Sequence, residues 1–334
     1  MLNIISHKDK NFFEKINKII SSRQNFDDEI RDKVREIILS IKDKGDDILF
    51  EYIKKYDNVE CDETNIYYSK NDIEEAIKRC NQESINAIKV AKGRIENFHN
   101  HQMPSESFFE DEDSIKIKTR WIPLENAGIY IPGGTASYPS SVLMGVIPAK
   151  IAGVKNIVAT VPCPNNEIDP LVLATLDICG IEKIYKIGGA QAIAALTWGT
   201  DSIRKVDIIV GPGNKWVAEA KKQVIGDVQI DMLAGPSEIM IIADKNNKAD
   251  WVASDLLSQA EHDVSSQAIL ITDDMNFLDA VNDQNLSYAA DVSDRSVIFA
   301  LSQGYKIDKT IEGALRLMSL HSFDHAKQIK TAKL

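Results

Sequence analysis

The sequence predicts an α/β protein organised on a parallel, doubly wound sheet, and three features carry that prediction. Between Ala127 and Ala220, short β-branched runs alternate four times with helical patterns. Three of these runs stop abruptly at Pro132-Gly133-Gly134, Gly188-Gly189 and Gly211-Pro212-Gly213-Asn214. Beyond Ser237 the alternation of strand and helix resumes, so a second α/β region accompanies the first.

The chain before the sheet reads as helical. Phe12, Ile16 and Ile19-Ile20 form one apolar stripe, and Val34, Ile37-Ile38 and Ile41 form a second that stops at Lys44-Gly45. Asp46 or Asp47 opens another helix with Leu49, Tyr52, Ile53 and Tyr56 inward. Asn71-Asp72-Ile73-Glu74 resembles a helix cap before Ile77, and Ile85, Ile88, Ala91 and Ile95 mark the last long helix. His99 and His101 end it two residues apart, point in different directions and read as surface residues. The acidic run from Glu106 to Asp113 reads as a solvated loop.

From Trp121 the character changes. Strands are expected at 127–131, 155–161, 182–187 and 206–210, with helices at about 139–151, 171–178, 190–198 and through Val217 and Ala220. A linker, Asp231 to Ser237, closes this unit. Strands follow at 238–243, 267–272 and 296–301, a helical region begins at Met275, and a last helix covers 308–320.

Composition narrows the function. A net charge of −11 argues against nucleic acid or an anionic membrane as the main partner. With 44% hydrophobic and 27% charged residues, the chain can bury a sizeable core as an ordinary soluble protein. No apolar run has the length of a membrane span and no signal-peptide core follows Met1, so a cytoplasmic location is expected. Cys61, Cys80, Cys163 and Cys179 are scattered without a C-x-x-C pair, which points to free thiols.

Glycine turns at the carboxyl ends of parallel strands let backbone amides approach a phosphate, although glycine also simply punctuates tight turns. Tyr130 at a strand end can stack on a ligand ring or pack. Gln191 and Asn214 at helix starts can read a ligand or cap the helix. Ser237, at the next strand entrance, can touch a ligand across a crevice or serve the turn. Farther on, Asp250 can cap a helix on which Val252, Leu256 and Gln259 share one face, with His262 one turn beyond. A polar pair thus ends an apolar stripe, either as an exposed helix end or as a site. Asp324-His325 near the C-terminus can form an acid/base pair or lie on the surface.

These stretches resemble the histidinol dehydrogenase family. The resemblance rests on Gly128-Ile-Tyr-Ile-Pro-Gly-Gly134, Gly188-Gly-Ala-Gln-Ala-Ile193, Gly211-Pro-Gly-Asn214, Asp231-Met-Leu-Ala-Gly-Pro-Ser-Glu238 and Ser258-Gln-Ala-Glu-His262. Gly45-Asp46, Phe98-His99 and Arg120-Trp-Ile-Pro-Leu-Glu125 add weaker matches, and the order and spacing hold over residues 30–272. The resemblance implies a zinc- and NAD-dependent homodimeric enzyme of histidine biosynthesis, which oxidises L-histidinol through the aldehyde to L-histidine with two NAD. It implies that Tyr130, Gln191 and Asn214 contact NAD and that Ser237, Gln259, His262, Asp324 and His325 contact substrate. Gln259 and His262 would be zinc ligands, and Asp324 and His325 the catalytic pair. With the βα pattern, it implies two Rossmann-like doubly wound units, one inserted in the other, and a helical N-terminal region. The expected division is an N-terminal helix at 1–21, a discontinuous α/β domain at 22–126 and 237–334, and an inserted NAD-binding domain at 127–236.

Two departures stand out. The family's catalytic Glu-His sits in an Ala-Pro-Glu-His context, whereas this chain has Ser322-Phe323-Asp324-His325, with a carboxylate one methylene shorter. The family also continues past the position of Leu334 with a metal-binding Asp and a tail carrying Glu and His that reaches the partner subunit's site. These departures define the alternative expectations: a shortened, catalytically impaired paralogue that binds NAD or a partner, or a homologue oxidising another small alcohol.

Overall fold

A computed structural model of the chain describes residues 3–6, 8–133, 138–233, 238–260, 267–288 and 297–301. Ser237, His262, Asp324, His325 and the helix expected at 308–320 lie outside the described residues. The elements run β1 (Asn3–Ser6), α1 (Phe12–Lys44), α2 (Asp46–Asp57), α3 (Lys70–Arg79), α4 (Gln82–His101), β2 (Ser107–Glu110), β3 (Lys116–Thr119), β4 (Asn126–Tyr130), α5 (Pro139–Ile151), β5 (Asn156–Thr160) and α6 (Pro170–Ile178). There follow β6 (Lys183–Tyr185), α7 (Gly189–Trp198), β7 (Ile208–Val210), α8 (Lys215–Gln223), β8 (Gln229–Ile230), β9 (Glu238–Ile242), α9 (Ala249–Ala260), β10 (Gln267–Thr272), α10 (Met275–Tyr288) and β11 (Val297–Leu301). The chain forms two compact units, Glu29–Ala234 and Met1–Asp28 with Gly235–Leu334.

The larger unit contains a five-stranded sheet in the order β6-β5-β4-β7-β8, with every pairing parallel. Strands β4, β5 and β6 step outward in one direction, and β7 then returns to the other side of β4. The strand order therefore reverses between β4 and β7, where open α/β sheets bind ligands at the carboxyl ends. Ile129, Ile131, Ile147, Leu173, Ile184 and Ile187 are completely or almost completely buried on and around this sheet. Helix α7 is buried on every side from Ala190 to Thr197, the pattern of a helix enclosed by other elements, and α2 and α8 pack on it. At the sheet edge, Tyr68 N–H donates to Ile184 O at 2.9 Å and Lys186 N–H to Ile66 O at 2.7 Å. This short backbone ladder covers an otherwise open strand.

The helices before the sheet belong to the same core. Ile30, Val34, Ile37, Ile41, Leu49 and Ile53 join one hydrophobic cluster with Ile129, Ile184 and Leu196. Residues 29–126 thus group with 127–234 in one compact unit, a different division from the expected grouping of 22–126 with 237–334. The physical reason is the depth of those stripes: Leu49 and Ile53 are fully buried, each worth about 1.5–3 kcal/mol in transfer from water.

Three local expectations are corrected. The two N-terminal stripes lie on one continuous helix, α1, because no Gly or Pro interrupts Phe12 to Lys44. A strand, β1, precedes it where the expectation placed only helix in residues 1–21, and it pairs in parallel with β11. Part of the acidic run forms strand β2, antiparallel to β3, with Lys118 and Lys116 paired to Glu106 and Glu110 at 2.9 and 3.7 Å. Both strands of this ribbon are exposed along their length.

The other unit holds a parallel sheet in the order β1-β11-β10-β9. Val252, Ala253, Leu256 and Ala260 of α9 pack with Phe277, Leu278 and Val281 of α10 and with Ala268 and Leu270 of β10. Asp250 lies inside the first turn of α9 and not at its cap. No helix among the described residues is long and apolar enough to cross a membrane.

Candidate dinucleotide site at the strand-order reversal

The turns after β4, β5 and β6 meet around one side chain, Pro162. A Cβ on Gly188 would lie 2.5 Å from its ring and one on Gly133 2.9 Å, distances only glycine tolerates. Tyr130, the last residue of β4, sends its hydroxyl to the start of α7, where it accepts the Gly189 N–H at 3.1 Å. The ring is 3% exposed, so packing and turn support account for Tyr130 in this structure. Burial pushes its phenol up to about 12, an effect the Gly189 amide partly opposes, and it stays neutral at physiological pH.

Gln191 lies in the first turn of α7, 3% exposed, with its carbonyl oxygen folded back over Gly189. Asn214 caps α8: its Oδ1 accepts the amides of Trp216 and Val217 at 3.0 and 3.2 Å. The capping reading is therefore observed, and the cap leaves the Asn214 side-chain NH₂ unused. Thr160, in register with Tyr130 at the end of β5, has a buried hydroxyl with no partner among the described residues.

The sequence reading missed a buried pair behind the third turn. Lys221 is 4% exposed, and its Nζ donates to Gly211 O at 2.9 Å and to the Asp231 carboxylate. The other Asp231 oxygen accepts the Gly211 N–H at 2.8 Å. Asp231 opened one of the matching stretches and so carried a signal, but Lys221 looked no different from its exposed neighbour Lys222. Asp57, Tyr68 and Cys163 are buried near one another. Burial raises the Asp57 carboxyl and pushes the Cys163 thiol up to about 12, so Cys163 is not a ready nucleophile.

In the other unit, Gln259 stands half-buried one residue before the end of α9, on the face that buries Val252 and Leu256. Its proposed companions Ser237, His262, Asp324 and His325 lie outside the described residues. Among the described residues, no group of three or more His, Cys, Asp or Glu could hold a metal ion. His99, expected on the surface, is half-buried, and its Nε2 has no partner among the described residues.

The family model described as histidinol dehydrogenase matches residues 20–328. Histidinol dehydrogenase of Brucella abortus (strain 2308) is 44% identical over 283 residues, 85% of this chain and 66% of the relative. That of Rhizobium meliloti (strain 1021) is 46% identical over 277 residues, 83% of this chain and 64% of the relative. The crystal structure of histidinol dehydrogenase from Elizabethkingia anophelis superposes with a TM-score of 0.74 at 38% identity, covering 86% of this chain and 68% of that one. The chain thus spans about two thirds of the length of the curated relatives it matches. On the match along most of its length, the chain belongs to the histidinol dehydrogenase family.

Proposed function

We propose that the chain oxidises L-histidinol through the aldehyde to L-histidine in histidine biosynthesis. Each of the two hydrides passes to an NAD⁺, and water supplies the second carboxylate oxygen. The observation that carries this reading is the gathering of glycine turns beside the reversal between β4 and β7, in a chain of this family. The residues fit a dinucleotide: glycines let a cradle of turns close tightly around Pro162 and bring backbone within reach of a ligand, and the Thr160 hydroxyl at the end of β5 has no partner among the described residues. Tyr130 holds the Gly189 amide, Gln191 offers its side-chain amide, and Asn214 offers its NH₂ group.

His325 would take the proton of the substrate hydroxyl, and Asp324 would orient water on the aldehyde. Ser237, Gln259 and His262 would contact substrate. Gln259 and His262 offer an amide oxygen and an imidazole nitrogen, donors that zinc accepts, and the ion would serve to hold the substrate imidazole and amine. A cytoplasmic location accords with four free cysteines. A homodimer is supported by the β2–β3 ribbon. Phe109 and Ile117 pair on one face, flanked by Ile115 and Trp121, and each is 57–62% exposed. At roughly 100–150 Å² of exposed surface each, two copies would bury about 1,000 Å², near the lower bound for a specific interface.

The test is NADH formation by the full chain with histidinol, NAD⁺ and zinc. Activity lost in His325→Ala supports the reading. Absence of turnover at every zinc concentration overturns it.

A further inference from the structure

We infer that Lys221 and Asp231 are a positioning pair that sets the backbone of the third glycine turn for the dinucleotide. The inference rests on the reading that residues 211–214 meet NAD. The two side chains come from different places, α8 and the residue just after β8, and close on one glycine between them. Gly211 has both its polar groups taken: its carbonyl by Lys221 and its N–H by Asp231. Its φ of +128° is open to glycine, and a Cβ there would stand 2.0 Å from Tyr130 O.

The consequence is geometric. Fixing both the N–H and the C=O of one residue fixes the peptide planes on either side of it. Pro212 follows, with a locked φ and no N–H to donate. The first backbone donor left for a ligand is therefore Gly213, followed by Asn214 at the cap of α8, where an anion meets a helix N-terminus. The direction of these amides is inherited from Gly211 through a stiff proline. The Asp231 carboxylate also accepts Met232 N–H at 2.7 Å, so the chain leaving β8 is fixed by the same group.

A buried ion pair that served stability alone could be exchanged for apolar residues of similar size with little loss. A positioning pair could not, because Gly211 would lose both its partners. The experiment compares the full chain with Lys221→Met, Asp231→Asn and the double variant Lys221→Met/Asp231→Leu. NADH affinity is read by its fluorescence, KM is measured for NAD⁺ and for histidinol, and thermal melting is followed.

The expected result is NADH affinity weakened about tenfold or more in all three variants, as loss of buried hydrogen bonds implies. KM for NAD⁺ rises in parallel, KM for histidinol is unchanged, and the double variant, with no unpaired buried charge, melts above either single variant but below the unsubstituted protein. If the single variants fail to fold, the double variant decides. A double variant that regains both stability and NADH affinity overturns the inference. So does equal NADH binding in all the proteins. An unsubstituted chain that binds no NADH removes the dinucleotide reading itself, and the inference with it.

Discussion

The Tyr130 hydroxyl accepts the Gly189 amide at 3.1 Å, joining the end of β4 to the start of α7 across the sheet. A strand-end tyrosine here acts as a strut for the turn behind it. Tyr130→Phe removes the partner of a half-buried N–H, and a loss of about 0.5–1.5 kcal/mol is expected. Denaturant unfolding of the two proteins measures it, and an unchanged midpoint would show that the strut carries no load.

Asp57 is 7% exposed, one of its oxygens has no partner among the described residues, and burial raises its carboxyl above the ordinary value of 3.8. Between that value and the raised folded one, the native state binds more protons than the unfolded state. Stability therefore falls as pH rises through this window. Asp57→Asn should be more stable than the parent at neutral pH, with the gain vanishing as pH falls below 3.8. Paired denaturation curves across that range give the sign directly.

Ile53 of α2 is fully buried in the cluster shared with the five-stranded sheet. Ile53→Ala should cost about 2–5 kcal/mol. Amide exchange should show faster opening of β4 and α7 as well as of α2, since one core holds them. A change confined to α2 would mean that the helices and the sheet open separately.

Ile117→Asp places a charge at the centre of the exposed ribbon face. Halved mass in sedimentation, with unchanged melting at low concentration, is the outcome expected of a dimer contact. A mass equal to that of the unsubstituted protein would remove the ribbon from the interface.

The sheet was legible because its strands are short β-branched runs closed by glycine turns, as in Ile208–Val210 before Gly211. Residues 182–187 and 206–210 shrank to three-residue strands because only the positions paired with neighbours count as ladder. The continuity of α1 escaped notice because two apolar stripes flank a polar middle, and a stripe reports what a helix buries, not where it stops. Membership of the helices in the sheet's core was also hidden, since periodicity gives the buried face of a helix but not its partner. At the candidate site, Asn214 was correctly open to a capping role, and the bonds to Trp216 and Val217 decide for it. Lys221 could not be found from sequence, since its partners stand ten residues away on either side.

Cys163 follows directly on Pro162, the residue around which the glycine turns close. Its thiol is fully buried and pushed up to about 12, and that of Cys179 up to about 11. Cys61 and Cys80, by contrast, are half-buried. Alkylating reagents need both access and thiolate, so Cys61 and Cys80 should be modified first and Cys163 only when the turns part. The protein thus carries its own chemical clock at the junction: the rate of Cys163 labelling counts the openings of the cradle, residue by residue in a mass spectrum, without any introduced probe.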